Sequence, residues 1–542
     1  MRNLMLSAFV AKTGVEMSAQ PTQPPIKIRN NRRNNPLYAA VFKEHVCFWR
    51  YALAYVLSAS VLFVLKQIVY RSVLLPAVPA NLTRSERAIH PLIHRLDRVF
   101  RYEYVFLFGS LLIYYRLCQL WTPVVKVENN DTDLEEAGVG SSETVARTPR
   151  SCRRPKLQLL LMAMLVCSHA TFILFWFQSH IPPFVFWMCA VSLGVWFHLC
   201  PFLFAFTIWN LLCAAIHRLC QYYTNSATVT STNAAAAAVR STVELRAKLA
   251  RNCCTEFLCR LFCDARTQTR FALWLTGALS LVSLVGAHVY FISEDSYEFR
   301  KQPLPSEANG MRVAVLSDIH VGGVISEWQT RRVVEMANEQ KPDIILVVGD
   351  LTDGTVEQLS SRLDPLRSLR AKYGVFFVTG NHEYYHENVN RWLDYYTEAL
   401  GMRVLQNEAI MLRGICFAGI DDMVLRATKS LSENVPASFG RSVLRACYAD
   451  APVVLLIHNP EFAYYLADSE LTKRTDLVIS GHFHAGQFYH LAAYLYLRFP
   501  AIYGWYTAAD AMRIFVSGGV HYYGCWPMKM LGTAEMNLLT FR

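Results

Sequence analysis

The sequence predicts an α-helical multi-pass membrane region of about five spans followed by a layered α/β sandwich, and three observations carry that reading. Of the 542 residues, 53% are hydrophobic and only 18% charged, against roughly 25% charged in soluble chains. Between residues 48 and 292, apolar runs recur that are long enough to cross about 30 Å of hydrocarbon as helices. From residue 311 onward, short β-branched runs alternate with polar stretches of helical spacing, the pattern of sheets covered by helices.

Taken in order, residues 1–47 form a polar, basic tail. Spans are expected at 157–177 and 271–292, which carry no charge, and at 184–216, which exceeds one crossing and contains Pro201. Two less apolar runs complete the set: 48–70, interrupted by Arg50 and Lys66, and 104–121, which carries Arg116. In these helices a charge either marks a function or snorkels to the interface. Residues 293–310 read as a polar linker and 311–542 as a separate domain of about 230 residues, large enough for its own core.

Charge divides the chain at the same place. Residues 311–542 hold 21 basic and 24 acidic side chains, which leaves 32 basic and 18 acidic before them. The basic excess sits in short segments between apolar runs, where it sets membrane orientation, and this argues against nucleic-acid binding. With the N-terminus inside, inside segments hold seven, six and eight basic residues, and the domain after the fifth span is extracytoplasmic. Six basic residues between Arg71 and Arg101 fall outside in this arrangement. Of the two glycosylation sequons, at Asn81 and Asn130, only Asn81 would then be used. Twelve of the 15 cysteines precede residue 270, in no spacing that describes a disulfide framework. Cys253, Cys254, Cys259 and Cys263 lack paired C-x-x-C spacing and read first as cysteines on a membrane-facing helix, with juxtamembrane acylation ahead of zinc as the functional alternative. Residues 224–239 are low-complexity linker.

Strands are expected at 313–316, 344–348, 375–378, 453–457, 477–479 and 514–516, with helices at 327–339 and 357–372 between them. Five of these strands run directly into polar side chains able to hold a metal. They lead to Asp318-Ile319-His320, to Gly349-Asp350 with Asp353 behind it, to Gly380-Asn381-His382-Glu383, to His458, and to Gly481-His482-Phe483-His484. Carboxyl ends of parallel strands converge on one edge, so these donors meet. Carboxylates, imidazoles and one amide without thiolate suit Mn, Fe or Zn. Seven donors exceed one tetrahedral site, whereas two ions about 3.5 to 4 Å apart need a shared carboxylate, for which Asp350 is placed. Gly349, Gly380 and Gly481 permit close approach of backbone to such a site.

This ordered set resembles the signature of calcineurin-like metallophosphoesterases, over residues 311–542. The finer match, with Tyr384-Tyr385, Gly486-Gln487, Ser517-Gly518-Gly519 and Trp526-Pro527, looks like the membrane-associated subgroup called transmembrane protein with metallophosphoesterase domain. The resemblance implies a four-layer sandwich and hydrolysis of phosphodiester or phosphomonoester bonds by a water activated between two metal ions. It implies that Asp318, His320, Asp350 and His484 hold one ion, that Asp350, Asn381, His458 and His482 hold the other, and that His382 is catalytic. Asp353 would lie behind the ligands, while Glu383, Tyr384 and Tyr385 would line the substrate cleft. The sequence departs from the subgroup at Phe483 and Ala485, where Thr and Gly are usual, and neither change removes a ligand. A lipid-derived or other diester substrate is favoured over a phosphoprotein, because the domain follows the last span closely. The competing readings are a catalytically silent scaffold or receptor, and a transporter-like bundle regulated by the phosphoesterase domain.

Overall fold

Among the described residues, five long helices precede the first strand: α1 (Pro36–Val69), α2 (Pro91–Trp121), α3 (Pro155–Trp176), α4 (Pro183–Ala227) and α5 (Ala265–Gly286). They belong to a computed structural model that describes residues 36–74, 91–121, 155–227, 258, 261–262, 264–422, 442–465, 470–508, 512–523 and 525–542. Both sequons, residues 1–35, Cys253, Cys254, Cys259, Cys263 and most of the low-complexity stretch lie outside the described residues. Among the described residues, four stretches, 49–72, 156–175, 183–216 and 265–286, are long and apolar enough to cross a membrane. Their outward faces are apolar: Leu159 is 72% exposed and Trp274 68%, the opposite of a water-facing bundle.

The fifth helix, α2, starts 13 residues before its apolar run and carries Arg95, Asp97, Arg98, Arg101 and Glu103 in its first turns. Arg116 near its far end does not snorkel. It is buried and donates to Gln268 Oε1 at 3.0 Å, Ala265 O at 3.3 Å and Thr269 Oγ1 at 3.3 Å, all in the first turns of α5. Gln268 and Asn210 of α4 exchange amide hydrogen bonds at 2.9 and 3.0 Å, which completes a polar knot among three helices. At the opposite end, Lys66 of α1 pairs with Asp97 of α2. The helices thus alternate in direction.

Helix α5 ends at Gly286, and the span expected at 271–292 is shifted six residues toward the N-terminus. Asp264 starts the helix by accepting from the Arg266 and Thr267 amides, a cap that apolar counting overlooks. The chain then enters the sheet at once. Residues of the expected linker belong to β1 (Phe291–Tyr297), which pairs in parallel with β12 (Glu535–Phe541) along its whole length. Its polar residues read as linker, yet an edge strand tolerates them on its solvated face.

Two six-stranded sheets follow. The first has the order β1-β12-β2-β3-β4-β5, with β2 (Arg312–Leu316), β3 (Ile344–Val348), β4 (Val375–Val378) and β5 (Arg403–Val404) parallel. The second has the order β10-β11-β9-β8-β7-β6, with β6 (Glu408–Leu412), β7 (Ile415–Gly419), β8 (Val453–Leu456), β9 (Thr475–Ser480), β10 (Gly504–Thr507) and β11 (Arg513–Val516). Side chains alternate between faces. Val313, Val315, Ile344 and Leu346 meet Val454, Leu456, Leu477 and Phe515 between the sheets. Ala314, Leu316, Ile345 and Val347 face outward onto α6 (Glu327–Glu339) and α7 (Val356–Leu363). Both helices start with capping boxes, Ser326 with Gln329 and Thr355 with Gln358. Phe462 and Leu471 from short helices cover the second sheet. The result is the expected four-layer sandwich.

Candidate metal centre

The parallel strands deliver their loops to one edge. Asp318 and His320 follow β2, Asp350 and Asp353 follow β3, Asn381 and His382 follow β4, His458 follows β8, and His482 and His484 follow β9. All seven expected donors come together there. Five of them hold left-handed backbone: Asp318 at φ 56°, His320 at 49°, Asp350 at 52°, His482 at 81° and His484 at 50°. Such angles are uncommon outside glycine and cost on the order of 1 kcal/mol or more each, so they persist only where the surroundings impose them. Here the loops impose them on one another. The Asp318 amide donates to Gly349 O at 3.2 Å and the His320 amide to Asp350 O at 3.0 Å. The His482 amide donates to both Asp318 carboxylate oxygens at 3.1 Å, and the His382 amide to Asp350 Oδ1 at 2.8 Å.

The donors form two groups. In the first, His484 Nε2 lies 3.2 Å from Asp318 Oδ1 and 3.0 Å from His320 Nε2. In the second, His458 Nε2 lies 3.0 Å from Asp350 Oδ2 and 3.3 Å from His482 Nδ1. Asp350 Oδ2 is also 3.6 Å from His320 Nε2, so this carboxylate touches both groups. Burial opposes ionisation throughout. It is outweighed at His320, which Asp353, Asp350 and Asp318 lift to about 9, and at His458, which Asp350 lifts well above the usual imidazole range. It prevails at His482, which falls to about 4 with His458 repelling the added charge, and at His484, which falls with His320 beside it. Each group brings two imidazole nitrogens within 3.3 Å of one another, a spacing at which they compete for a proton that a metal ion can replace. Asn381 Oδ1 is buried without a hydrogen-bond partner among the described residues, an acceptor that a cation would satisfy. On these grounds the residues fit a pair of oxygen- and nitrogen-loving ions.

Asp353 stands behind the ligands and has a larger part than the sequence suggests. It is fully buried; one carboxylate oxygen meets His320 Nδ1 at 3.1 Å and the other meets His382 Nδ1. Both rings thereby turn Nε2 toward Asp350, at 3.6 Å from His320 and 3.9 Å from His382, the arrangement in which an outer carboxylate fixes ring orientation. Glu383 does not line a cleft. Its buried carboxylate accepts the amides of Asp350 at 3.1 Å, Leu351 at 2.8 Å and Gly380 at 2.7 Å, tying the β3 and β4 loops together. Burial, with Asp350 beside it, pushes its pKa up to about 7.

Tyr384 instead reaches Thr379 at 3.1 Å, whereas Tyr385 does face a cavity of about 310 Å³ with His382, Asn381 and Asp350. Phe483 packs on Phe499, and Ala485 adopts φ 53°, the left-handed angle at which the usual glycine would be unstrained. Lys529 is fully buried and donates to the carbonyls of Gly518, Gly519 and His521 at 2.6, 2.8 and 2.7 Å, fixing the loop beside Asp318.

Helix ends close over this edge. Gln178, just after α3, donates to Asp353 O at 2.9 Å and accepts from the Gly323 amide. Phe197 of α4 stacks on Phe488 at 5.4 Å, and the Lys529 amide donates to Ser283 O of α5 at 2.8 Å. The cavity wall includes Arg98 and Tyr102 of α2. No local sequence signal ties these two to a domain that begins some two hundred residues later.

The family model for calcineurin-like phosphoesterases matches residues 311–486. A Danio rerio protein named transmembrane protein with metallophosphoesterase domain is 29% identical over 456 residues, 82% of this chain and 90% of its own. The Bos taurus protein of that name is 33% identical over 49% of this chain and 61% of its own. An uncharacterized metallophosphoesterase of Aquifex aeolicus is 32% identical over 265 residues, 48% of this chain and 97% of its own.

Proposed function

This chain belongs to the calcineurin-like phosphoesterase family, and from that premise we propose that it is a membrane-tethered, metal-dependent hydrolase of phosphodiester or phosphomonoester bonds. The observation that carries the proposal is the Asp350 carboxylate, which sits within 3.0 Å of His458 and 3.6 Å of His320 and so joins two donor groups. Asp318, His320, Asp350 and His484 would hold one ion, and Asp350, Asn381, His458 and His482 the other. Bound there, Mn, Fe or Zn would lower the pKa of a water and neutralise phosphoryl oxygens. His382, oriented by Asp353, would protonate the departing oxygen from Nε2. The domain, taken as residues 291–542 once β1 is included, hangs four residues from α5, which keeps the site near headgroups and favours an amphiphilic ester.

The full chain in detergent should hydrolyse bis-p-nitrophenyl phosphate or p-nitrophenyl phosphate with Mn2+, lose that activity on chelation and regain it on reloading. Reloading should weaken as pH falls from 9 to 6, because His320 and His458 then hold the protons that metal must displace. A chain inactive on both esters with every metal would sink the proposal.

The extracytoplasmic placement of the domain is also proposed. Supporting it are the alternating helix directions: Tyr51 of α1 reaches Phe108 O and Lys66 reaches Asp97 near the start of α2, so α1 runs toward the end of the bundle that meets the phosphoesterase domain. A disulfide between Cys416 and Cys447 adds to this, since such bonds persist in oxidising compartments. Replacing Asn81 by Gln should remove a glycan-dependent gel shift in eukaryotic cells, and replacing Asn130 should not. The reverse result would invert the topology.

A further inference from the structure

The cavity beside the candidate metal ligands is walled on one side by α2 of the N-terminal helical bundle. Arg98 and Tyr102, one turn apart on α2, face the space shared by Asp350, Asn381 and His382. The Arg98 guanidinium carbon lies 3.5 Å above the Tyr385 ring, and the Tyr385 hydroxyl accepts from Asn381 Nδ2 at 3.0 Å. A cation–π contact at this distance holds the guanidinium in place beside the cavity. Two of its nitrogens, Nε and Nη2, are buried without a hydrogen-bond partner among the described residues.

A half-buried guanidinium with two buried, unmet nitrogens is costly, and the acids nearby on α2 and behind the ligands already have cationic or imidazole partners. Asp97 pairs with Lys66 and Arg101, Glu103 with His169, and Asp353 with His320 and His382. A ligand in the adjoining cavity can supply the missing acceptor. In a cavity of about 310 Å³ shared with metal-binding side chains, two oxygens of a phosphoryl group match the guanidinium fork.

Resting on the phosphoesterase reading above, we propose that Arg98 binds the non-bridging phosphoryl oxygens of substrate and product, so that the membrane bundle completes the active site. Tyr385 is its positioning residue, and the phosphoesterase domain by itself lacks this contact.

The test is binding of inorganic phosphate to the Mn2+-loaded full chain by calorimetry, beside the KM for bis-p-nitrophenyl phosphate, in the wild type, Arg98→Gln and Arg98→Lys. The expected result is a phosphate Kd and a KM raised at least about tenfold in Arg98→Gln, with bound metal and melting temperature unchanged. Arg98→Lys should recover part of the loss, because a point charge replaces the fork. Dioctanoyl phosphatidic acid in place of inorganic phosphate separates a lipid headgroup from a free phosphate as source; Arg98-dependent binding of either supports the assignment. Equal phosphate affinity in wild type and both variants, or no binding by the metal-loaded wild type, overturns it. A wild type that binds phosphate through Arg98 yet hydrolyses nothing would instead defeat the phosphoesterase reading.

Discussion

Asp350→Ala is expected to reduce turnover by at least about 10³-fold and to leave the protein with at most one tightly held metal ion. The expectation follows from what the carboxylate touches. Its Oδ2 serves His458 at 3.0 Å and His320 at 3.6 Å, and its Oδ1 accepts the His382 amide at 2.8 Å. Alanine therefore removes the ligand shared by the two groups, the acidic partner that balances His458, and the anchor that seats His382. Loss of an oriented electrostatic group at a reacting centre is worth roughly 10²–10³ in rate, and loss of a bridging ligand adds to it. The separating measurement is metal content against kcat. Asp350→Asn keeps the shape and the hydrogen bond to the His382 amide but not the charge. If it retained both ions and wild-type kcat, the bridging assignment would fail. His382→Ala, by contrast, should keep its metal, since Asp353 holds His382 Nδ1 and its Nε2 stays 3.9 Å from Asp350, farther than the His320 or His458 imidazole.

The sequence makes the ligand set visible because each donor stands immediately after an apolar, β-branched run, and a strand that is buried on both faces announces its own end. The expected strands at 344–348 and 375–378 are β3 and β4 to the residue. What stays hidden depends on contacts between distant segments. The β6–β7 hairpin turns at Arg413 and Gly414, with φ of 51° and 76°, a two-residue turn without the Asn-Gly pair that normally signals it. Strand β12 is recognisable only beside β1 and β2, more than two hundred residues earlier. Asp353 reads as a second acid in a short loop until the fold brings both His320 and His382 to it. The bridge between Cys416 and Cys447 spans 31 residues with no spacing rule. Arg98 is farther still from legibility, since helix packing alone brings it to the site.

Gly380→Ala should abolish activity nearly as completely as removal of a ligand, although the added methyl carries no chemistry. Gly380 does not need glycine for its backbone angles; it needs glycine for space. A Cβ there would lie 2.2 Å from Asp350 Oδ1 and 2.4 Å from the Asp350 amide nitrogen. Neither atom can yield: Oδ1 accepts the His382 amide, and the Asp350 amide donates to Glu383 at 3.1 Å. The β4 loop must then back away from the β3 loop and carry Asn381 and His382 with it. Overpacking of this kind costs about 1–3 kcal/mol, and a displacement of about 1 Å at a reacting centre costs on the order of 10²-fold in rate. Thermal unfolding with and without Mn2+ would show the fault directly, since the stabilisation that metal confers on the wild type should largely vanish in Gly380→Ala. Gly277 on α5 supplies the control, because a Cβ added there meets nothing within 4 Å. If Gly380→Ala kept its metal-dependent stabilisation, the two loops would have more freedom than their shared hydrogen bonds imply, and the positive φ angles of the ligands would need another cause.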